Sequence, residues 1–423
     1  MKYAVVTFGC RVNQADSLRV EEDLRARGGE PASIDRADMV VVNTCSVTAT
    51  ADQGARQVIR RVARENPSAR IVVTGCYATR QPEETATLPG VIRLVPNGRK
   101  DTLVADLAIE IDPSTAARFG EGDGPCGAAI APGMAGRTAY TLRVQTGCDQ
   151  TCAYCIIPTT RGPARSRGLD EVCREVTRVA DAGFKEIALT GVHLGSYGRD
   201  LDPPATLVAL LRRLAALDRD VQFRVSSLEP MDCPRALVDL AIERPDRFAP
   251  HFHLPLQHAS NGMLSAMSRP YSLDRYRALV DDIRARLPHA SIGSDVIVGF
   301  PGETVADIAA LEQYLPSSPL THVHVFPYSD RPGTAASRMG NKVPGGEVRA
   351  RGQAMRAIGA TLTRRFREAQ VGTVRPGLTL EDGSLVVTDS YLKVRIAPGL
   401  ARNERVRVQI ASAEEPMHGE RVP

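Results

Sequence analysis

The first 110 residues alternate short apolar runs with longer stretches in which apolar positions recur at helical spacing. The runs are rich in Val and Ile, as buried parallel strands are: YAVVTF (3–8), MVVVN (39–43) and RIVVT (70–74). The helical stretches between them cover residues 14–27 and 51–65. This alternation predicts an N-terminal open parallel α/β domain over residues 1–110.

A second series of apolar runs separated by helical stretches follows from residue 137. Its six members are TLRVQ (141–145), EIALTG (186–191), QFRVSS (222–227), HFHLPLQ (251–257), SDVIVGF (294–300) and THVHVFPY (321–328). Six strand–helix units predict a partial (β/α)6 barrel over residues 137–363. Residues 111–136, which are rich in Gly, Ala and Pro, are typical of a linker.

The pattern changes again at residue 364, where TVRPGLTL, SLVVTDSYLKVRI and ERVRVQIA predict short strands separated by turns. We expect a small C-terminal antiparallel β module over residues 364–423. Residues 361–410 hold nine Lys and Arg against five Asp and Glu. This positive charge suits an RNA-binding module, and a structural cap whose charges are merely solvated is the alternative.

Composition narrows the class of protein. Of 423 residues, 43% are hydrophobic and 24% charged, which is typical of globular proteins. No apolar run approaches the roughly 20 residues of a membrane span. The start, MKYAVVTFGC, lacks the features of a secretion signal. We therefore expect a cytoplasmic protein with no membrane partner. It has nine cysteines, and in a reducing compartment thiols serve metals or catalysis more often than disulfides.

The sharpest chemical signal is GCDQTCAYC (147–155), a C-x3-C-x2-C run formed by Cys148, Cys152 and Cys155. A tetrahedral zinc site needs a fourth ligand and favours paired C-x2-C knuckles, and the sequence has no second knuckle nearby. Three cysteines on a 4Fe–4S cluster leave one iron free to bind a substrate. The run therefore favours an iron–sulfur cluster.

A second set of cysteines is spread along the N-terminal domain. Cys10, Cys45 and Cys76 each follow the end of a predicted strand. The carboxyl ends of parallel strands meet at one edge of the sheet, where ligands bind. We expect these cysteines to converge there on a second cluster.

These motifs resemble a known family. GCDQTCAYCIIPTTRGPARSR (147–167) is similar to the radical S-adenosylmethionine (SAM) signature of methylthiotransferases, which insert sulfur into an unreactive C–H bond and methylate it. The three-part layout also resembles this family, whose C-terminal β module is called TRAM. The resemblance implies two 4Fe–4S clusters: one on Cys148, Cys152 and Cys155 that chelates SAM, and an auxiliary one on Cys10, Cys45 and Cys76 that delivers sulfur.

The resemblance also implies SAM contacts at the ends of the barrel strands. The candidates are Gly191, Val192, His193, Ser227, Glu229, Gln257, Val298 and Gly299. The alternatives are that the two glycines are strand-end turns and that Glu229 and Gln257 are paired internal polar groups. One motif departs from the family, whose usual Gln-Ser-Gly-Ser is replaced by Gln257-His258-Ala259-Ser260. The loss of that glycine removes a flexible turn from the loop.

The finer motif Gly9-Cys10-Arg11-Val12-Asn13-Gln14 resembles the branch that acts on N6-threonylcarbamoyladenosine at position 37, beside the tRNA anticodon. This resemblance implies the tRNA anticodon arm as a partner, with an electron donor such as flavodoxin or ferredoxin. The branches acting on isopentenyladenosine or on a ribosomal protein are alternatives. A non-catalytic RNA-binding protein stabilised by structural metal is the alternative from another class.

Two further groups of side chains have competing interpretations. His251, His253, His322 and His324 lie at spacing two in predicted strands, so each pair faces one side. We favour packing of the barrel or its helix layer over a metal site. Arg161, Arg165 and Arg167 follow the cysteine run and suit either a substrate phosphate or a solvated basic loop.

Overall fold

The structure, a computed structural model, describes residues 1–111, 130–133 and 137–423. Nearly all of the predicted linker 111–136 lies outside the described residues. The described chain forms a parallel sheet, a partial barrel and a small closed β barrel, in that order. Within these residues no helix is both long and apolar enough to cross a membrane.

The N-terminal sheet is parallel and has the order β2-β1-β3-β4-β5. Its strands are β1 (Lys2–Thr7), β2 (Glu30–Pro31), β3 (Met39–Thr44), β4 (Arg70–Gly75) and β5 (Val91–Val95). Successive side chains of a strand point to opposite faces. Val40 and Val42 accordingly join one hydrophobic cluster and Met39 and Val41 the other. Helices cover both faces, which explains why the strands are continuous apolar runs.

The helices of this domain are Arg11–Ala26, Ala49–Glu65, Cys76–Arg80, Pro82–Ala86 and Leu103–Ile111, with 3-10 turns at Ile34–Arg36 and Asn97–Thr102. Thr48 caps the second helix by accepting a hydrogen bond from the Ala51 amide. The open parallel α/β domain predicted from the sequence is confirmed.

The central domain is a partial parallel barrel. Its strands are β6 (Tyr140–Arg143), β9 (Glu186–Thr190), β10 (Gln222–Val225), β11 (His251–His253), β12 (Ser291–Val298) and β13 (His322–Pro327). They form two three-stranded sheets, β10-β9-β6 and β11-β12-β13, which a bridge between Phe223 and Phe248 connects. A two-stranded ribbon of β7 (Gln145–Thr146) and β8 (Arg165–Ser166) flanks the cysteine loop. The predicted six-stranded partial barrel is confirmed.

Helices surround the barrel and bury one large hydrophobic core. They are Ile157–Arg161, Leu169–Asp181, Leu207–Ala215, Arg235–Glu243, Asn261–Ala266, Leu273–Arg286, Val305–Ser317 and Gly345–Glu368. Short 3-10 turns lie at Leu194–Ser196, Pro230–Asp232 and Ala336–Arg338. The last helix packs against β13 and crosses the domain border predicted at residue 364.

The C-terminal module is a closed barrel of order β14-β15-β16-β18-β17. Its strands are β14 (Val374–Leu380), β15 (Leu385–Thr388), β16 (Lys393–Arg395), β17 (Arg405–Ser412) and β18 (Met417–Val422). Buried Val394, Val406 and Val408 alternate with exposed basic residues along β16 and β17. The β module is confirmed, with one difference: β16 and β18 pair in parallel, and this pairing closes the barrel.

A buried ionic network joins the N-terminal domain to the barrel. The Asp16 carboxylate accepts hydrogen bonds from Lys100 Nζ at 3.0 Å and Arg161 Nη2 at 3.1 Å, and it also pairs with Arg143. Burial opposes ionisation of Asp16, but these three cations outweigh it and lower its pKa well below the usual range. The two domains therefore meet through matched buried charges.

The C-terminal module is attached by a second buried contact. Arg224 on β10 pairs with Glu186 at 2.8 Å and donates to the Asp389 carbonyl at 2.8 Å. The Arg224 guanidinium also lies 4.4 Å from the centre of the Tyr391 ring, a cation–π distance. Tyr391 thereby reaches from the module towards the interior of the barrel.

Candidate functional site

The cysteine run lies in the loop after β7. Gly147 begins it with φ of +74°, and a Cβ there would stand 1.8 Å from the Pro163 carbonyl oxygen, so only glycine fits this turn. The Cys155 amide donates to the Cys152 carbonyl at 3.0 Å, which curls the loop, and the thiols of Cys148 and Cys152 lie near enough to act electrostatically on Cys155. Arg269 donates to Cys152 Sγ at 3.0 Å and pairs with Glu229.

The second triad lies at one edge of the N-terminal sheet. Cys10 precedes the helix Arg11–Ala26, Cys45 follows β3, and Cys76 begins a helix after β4. Gly9 lies against Cys45: a Cβ on it would be 2.5 Å from Cys45 Sγ, and its φ is +82°. The structure thus brings together three cysteines that are 35 and 31 residues apart.

The two triads meet across the domain interface. Asn97 donates to Cys76 Sγ at 3.5 Å and to the Thr160 carbonyl at 2.9 Å, in the helix that follows Cys155. Arg161, one residue further on, is buried against Asn13 and Asp16 and lies within electrostatic range of Cys10 and Cys76. Neither of the two roles considered for Arg161, phosphate binding or a solvated loop, agrees with this burial. Its role is to hold the cysteine loop against the N-terminal domain.

The thiols of each triad influence one another's ionisation. Burial raises the pKa of Cys45 to about 11, and Cys10 and Cys76 add to the shift. Burial likewise raises the pKa of Cys155 to about 12, with contributions from Cys152 and Cys148. The Cys45 and Cys155 thiols are therefore protonated at neutral pH in the metal-free protein, and metal binding must displace those protons.

The number of cysteines bears on the group that they can hold. Each triad supplies three free thiols. A structural zinc ion takes four protein ligands, whereas three cysteines on a 4Fe–4S cluster leave one iron open to another ligand. The donor set of each triad therefore fits an iron–sulfur cluster.

A cavity of about 980 Å³ is lined by all three parts of the molecule. The N-terminal domain contributes Cys10 and Arg11, the ends of β9 and β10 contribute Gly191 and Ser227, and the C-terminal module contributes Tyr391, Lys393 and Arg395. The other six candidate SAM residues do not line this cavity. They are Val192, His193, Glu229, Gln257, Val298 and Gly299.

Several of these six have identifiable partners. His193 Nε2 lies 2.7 Å from the Asp232 carboxylate, so its ring is held by this contact. Glu229 is connected through Arg269 to Cys152. Gln257 is buried with φ of +65°, and its backbone amide donates to the Asp295 carbonyl at 2.8 Å. Val192 is half-buried and Val298 is fully buried at the end of β12. Of the six, Glu229 is linked to a cluster cysteine, through Arg269.

The atypical loop after β11 has a structural explanation. The buried His258 accepts a hydrogen bond from the Ser260 amide on Nδ1 at 3.0 Å, so its proton lies on Nε2, 3.2 Å from Glu303. Glu303 also accepts from the Gly299 amide at 2.7 Å and from Arg351. His258 and Glu303 therefore fix the turn at Gly299 that the sequence assigned to SAM binding.

All four strand histidines line the cavity rather than the helix layer. His251 stacks on Tyr391 with 4.9 Å between ring centres. His253, His322 and His324 each offer a ring nitrogen within 4.8 Å of the other two. Burial lowers the pKa of His322 to about 4, and the neighbouring histidines add to this shift.

Six residues that hold these loops in place could not be identified from the sequence. They are Asp16, Lys100, Arg143, Asn97, Arg269 and Glu303. The sequence carries no periodic signal for them, because their partners are far away along the chain. Asp16 and Arg161, for example, are 145 residues apart.

Comparisons with known proteins agree with this architecture. A model of the uncharacterized protein family UPF0004 matches residues 2–96, and a model of the radical SAM superfamily matches residues 142–315. The threonylcarbamoyladenosine tRNA methylthiotransferase MtaB of Aquifex aeolicus is 35% identical to this chain, covering 93% of this chain and 96% of its own length.

Relatives with other named substrates are nearly as similar. The ribosomal protein uS12 methylthiotransferase RimO of a Roseiflexus species is 34% identical over 88% of this chain and 84% of its own. The tRNA-2-methylthio-N(6)-dimethylallyladenosine synthase of Sphingopyxis alaskensis is 32% identical over 97% and 95%, respectively.

Among solved structures, the radical SAM methyltransferase TsrM of Kitasatospora setae, with cobalamin and a [4Fe-4S] cluster bound, matches with a TM-score of 0.55. The match covers 79% of this chain and 73% of that chain at 16% identity, a likeness of fold alone. Likeness over the whole length to several methylthiotransferases, together with both cysteine triads and the radical SAM domain, places this chain in the radical SAM methylthiotransferase family.

Proposed function

We propose that this enzyme adds a methylthio group to C2 of N6-threonylcarbamoyladenosine at position 37 of tRNA. The observation that carries the proposal is the shared cavity, which joins Cys10 of one triad, the strand ends of the barrel and a basic part of the C-terminal module. Relatives from Aquifex aeolicus and Bacillus subtilis, 35% and 33% identical, are named for this reaction.

SAM and [4Fe–4S] clusters are the cofactors of this family. Cys148, Cys152 and Cys155 would hold the cluster that binds SAM, and Cys10, Cys45 and Cys76 the auxiliary cluster. When bound, these groups supply the radical chemistry that activates an unreactive C–H bond and the sulfur that replaces the hydrogen. A small redox protein such as flavodoxin or ferredoxin would donate the electrons.

The residues around the clusters have supporting roles. Arg269 places a positive charge and a hydrogen-bond donor beside Cys152 Sγ, where they would offset the negative charge of an iron-bound sulfur. Asn97 and Arg161 fix the distance between the two triads, because each contacts residues of both domains.

Arg11 favours the threonylcarbamoyl substrate over the isopentenyl one. The threonine group carries a carboxylate, whereas the isopentenyl group is uncharged. Arg11 lines the cavity directly beside Cys10. Tyr391 accepts a hydrogen bond from Arg11 Nη2 at 2.8 Å, so the guanidinium is held in place. A fixed guanidinium is well suited to bind a carboxylate.

The C-terminal module supplies a surface for the tRNA. Lys393, Arg395 and Arg407 are exposed on β16 and β17, and the first two line the cavity. Basic side chains of this kind contact RNA phosphates and position the RNA without reading its sequence. An unpaired base of the anticodon loop can then enter the cavity.

The test is an anaerobic assay on reconstituted enzyme with SAM, a reductant and three substrates in parallel: threonylcarbamoylated tRNA, isopentenylated tRNA and ribosomal protein uS12. Digested products are analysed by mass spectrometry. We expect the methylthio group on the threonylcarbamoylated nucleoside only. Modification of either of the other substrates instead would refute the assignment, and absence of SAM cleavage with both clusters loaded would refute the cofactor roles.

A further inference from the structure

The cavity wall carries a cluster of histidines that the proposed reaction does not use. The neighbouring strands β11, β12 and β13 place His253, Gly293 and His322 opposite one another in register. His324 lies two residues further along β13, opposite Asp295, and therefore on the same side of the sheet as His322. One nitrogen from each of the three rings lies within 4.8 Å of the other two.

An ionic contact engages one nitrogen of His253. His253 Nε2 lies 3.0 Å from the Asp295 carboxylate. The other ring nitrogen, Nδ1, lies beside Gly293 and His322 and is the one left to bind a metal ion. A second partner that orients the ring in this way is typical of histidines that bind metal ions.

The same reasoning applies to His322. Its Nδ1 lies 3.0 Å from Thr321 Oγ1. The Thr321 hydroxyl donates its own proton to the Ile292 carbonyl at 3.1 Å, so it accepts from His322 Nδ1. His322 Nε2 therefore has a free lone pair.

Both nitrogens border the same space beside Gly293. A Cβ on Gly293 would stand 2.1 Å from His322 Nε2 and 3.0 Å from His253 Nδ1. The glycine therefore leaves room next to these two ring nitrogens. Two neighbouring acceptors with no donor between them are unfavourable unless a cation or water joins them.

We propose that His253, His322 and His324 bind one divalent transition-metal ion of the zinc type on the cavity wall. Neutral imidazole suits such ions, and three histidines leave a fourth position for another ligand. Asp295 adds one negative charge through His253, while Arg11 is near enough to act electrostatically on His322. An anionic oxygen, from a carboxylate or hydroxide, is therefore the expected fourth ligand. The site does not depend on the identity of the RNA substrate.

The experiment uses the tag-free full-length protein with both iron–sulfur clusters reconstituted. The protein is equilibrated anaerobically with zinc sulfate, dialysed, and analysed for zinc and iron, and the zinc ligands are identified by X-ray absorption. We expect one zinc per chain in addition to the iron, with nitrogen or oxygen neighbours at about 2.0 Å rather than sulfur at about 2.3 Å. Zinc coordinated by sulfur, or no retained zinc, would refute the site.

Variants locate the ion. His322→Ala and His324→Ala should each lose the retained zinc while keeping their iron, and the second change, at an exposed position, protects the test against misfolding. The matched control is His418→Ala, at an exposed position of the C-terminal module, which should keep the zinc. If the His324 variant retains zinc as the unaltered protein does, the proposed site is wrong.

Discussion

Replacing Asp16 by Asn should weaken the attachment of the N-terminal domain to the barrel. Asp16 is fully buried and faces Lys100, Arg143 and Arg161. Removing one partner from a buried ion pair costs about 3–5 kcal/mol, because the remaining charge is left uncompensated. Of these three cations, only Arg143 has a second carboxylate partner among the described residues, Asp101. Lys100 and Arg161 would keep uncompensated buried charges, so we expect a loss in the upper part of that range. The loss is a large fraction of the roughly 5–15 kcal/mol that stabilises a typical domain.

The assay is urea unfolding of the metal-free protein, followed by circular dichroism at pH 7 and at pH 3. The folded-state pKa of Asp16 lies below its unfolded value of about 3.9. Its contribution is therefore present above that pH and decreases as the pH falls towards the folded-state pKa. The difference between the two proteins should be largest at pH 7 and smaller at pH 3.

The matched control is Asp181→Asn, which removes an exposed pair with Arg219 and should leave the unfolding midpoint unchanged. An Asp16→Asn protein as stable as the unaltered chain at pH 7 would show that the buried network does not hold the domains together.

Three further predictions concern the cofactor and substrate sites. Arg269→Gln should lower iron retention at Cys148, Cys152 and Cys155 and abolish SAM cleavage, because it removes the charge beside Cys152; unchanged iron content would contradict this role. Cluster reconstitution, followed by visible absorbance, should be more complete at pH 8.5 than at pH 6.5. The reason is that the Cys45 and Cys155 thiols, with pKa values of about 11 and 12, must lose their protons to bind iron. More complete reconstitution at pH 6.5 would refute this reasoning. Arg11→Gln should raise KM for threonylcarbamoylated tRNA roughly 10- to 100-fold, because a charge-assisted hydrogen bond is lost, and Arg11→Lys should retain part of the affinity. Equal KM values for the Arg11→Gln variant and the unaltered enzyme would exclude carboxylate recognition by Arg11.

The sequence was sufficient for the parts of the fold that periodicity controls. Runs such as MVVVN are buried on both faces of a parallel sheet, so their continuous apolar character predicted β3 directly. The convergence of Cys10, Cys45 and Cys76 followed from topology, because each ends a neighbouring strand.

Contacts between distant polar residues could not be predicted in the same way. His193 is a candidate SAM contact from its place after β9, and the sequence carries no signal for the contact of its ring with Asp232, 39 residues away. Arg161 was assigned to a surface role because it follows a loop, although a carboxylate in another domain makes its burial favourable. The partner of a buried charge is set by tertiary packing, so it cannot be predicted from the residues next to that charge in the sequence.

The most direct test of the account separates the two cysteine triads. Cys10, Cys45 and Cys76 are replaced together by Ala in one variant, and Cys148, Cys152 and Cys155 in another, with Cys173→Ala as the control. SAM cleavage and methylthio transfer to threonylcarbamoylated tRNA are then measured in the same anaerobic reaction. We predict that the first variant cleaves SAM without transferring sulfur and that the second does neither. Methylthio transfer by either triad variant would contradict the central claim.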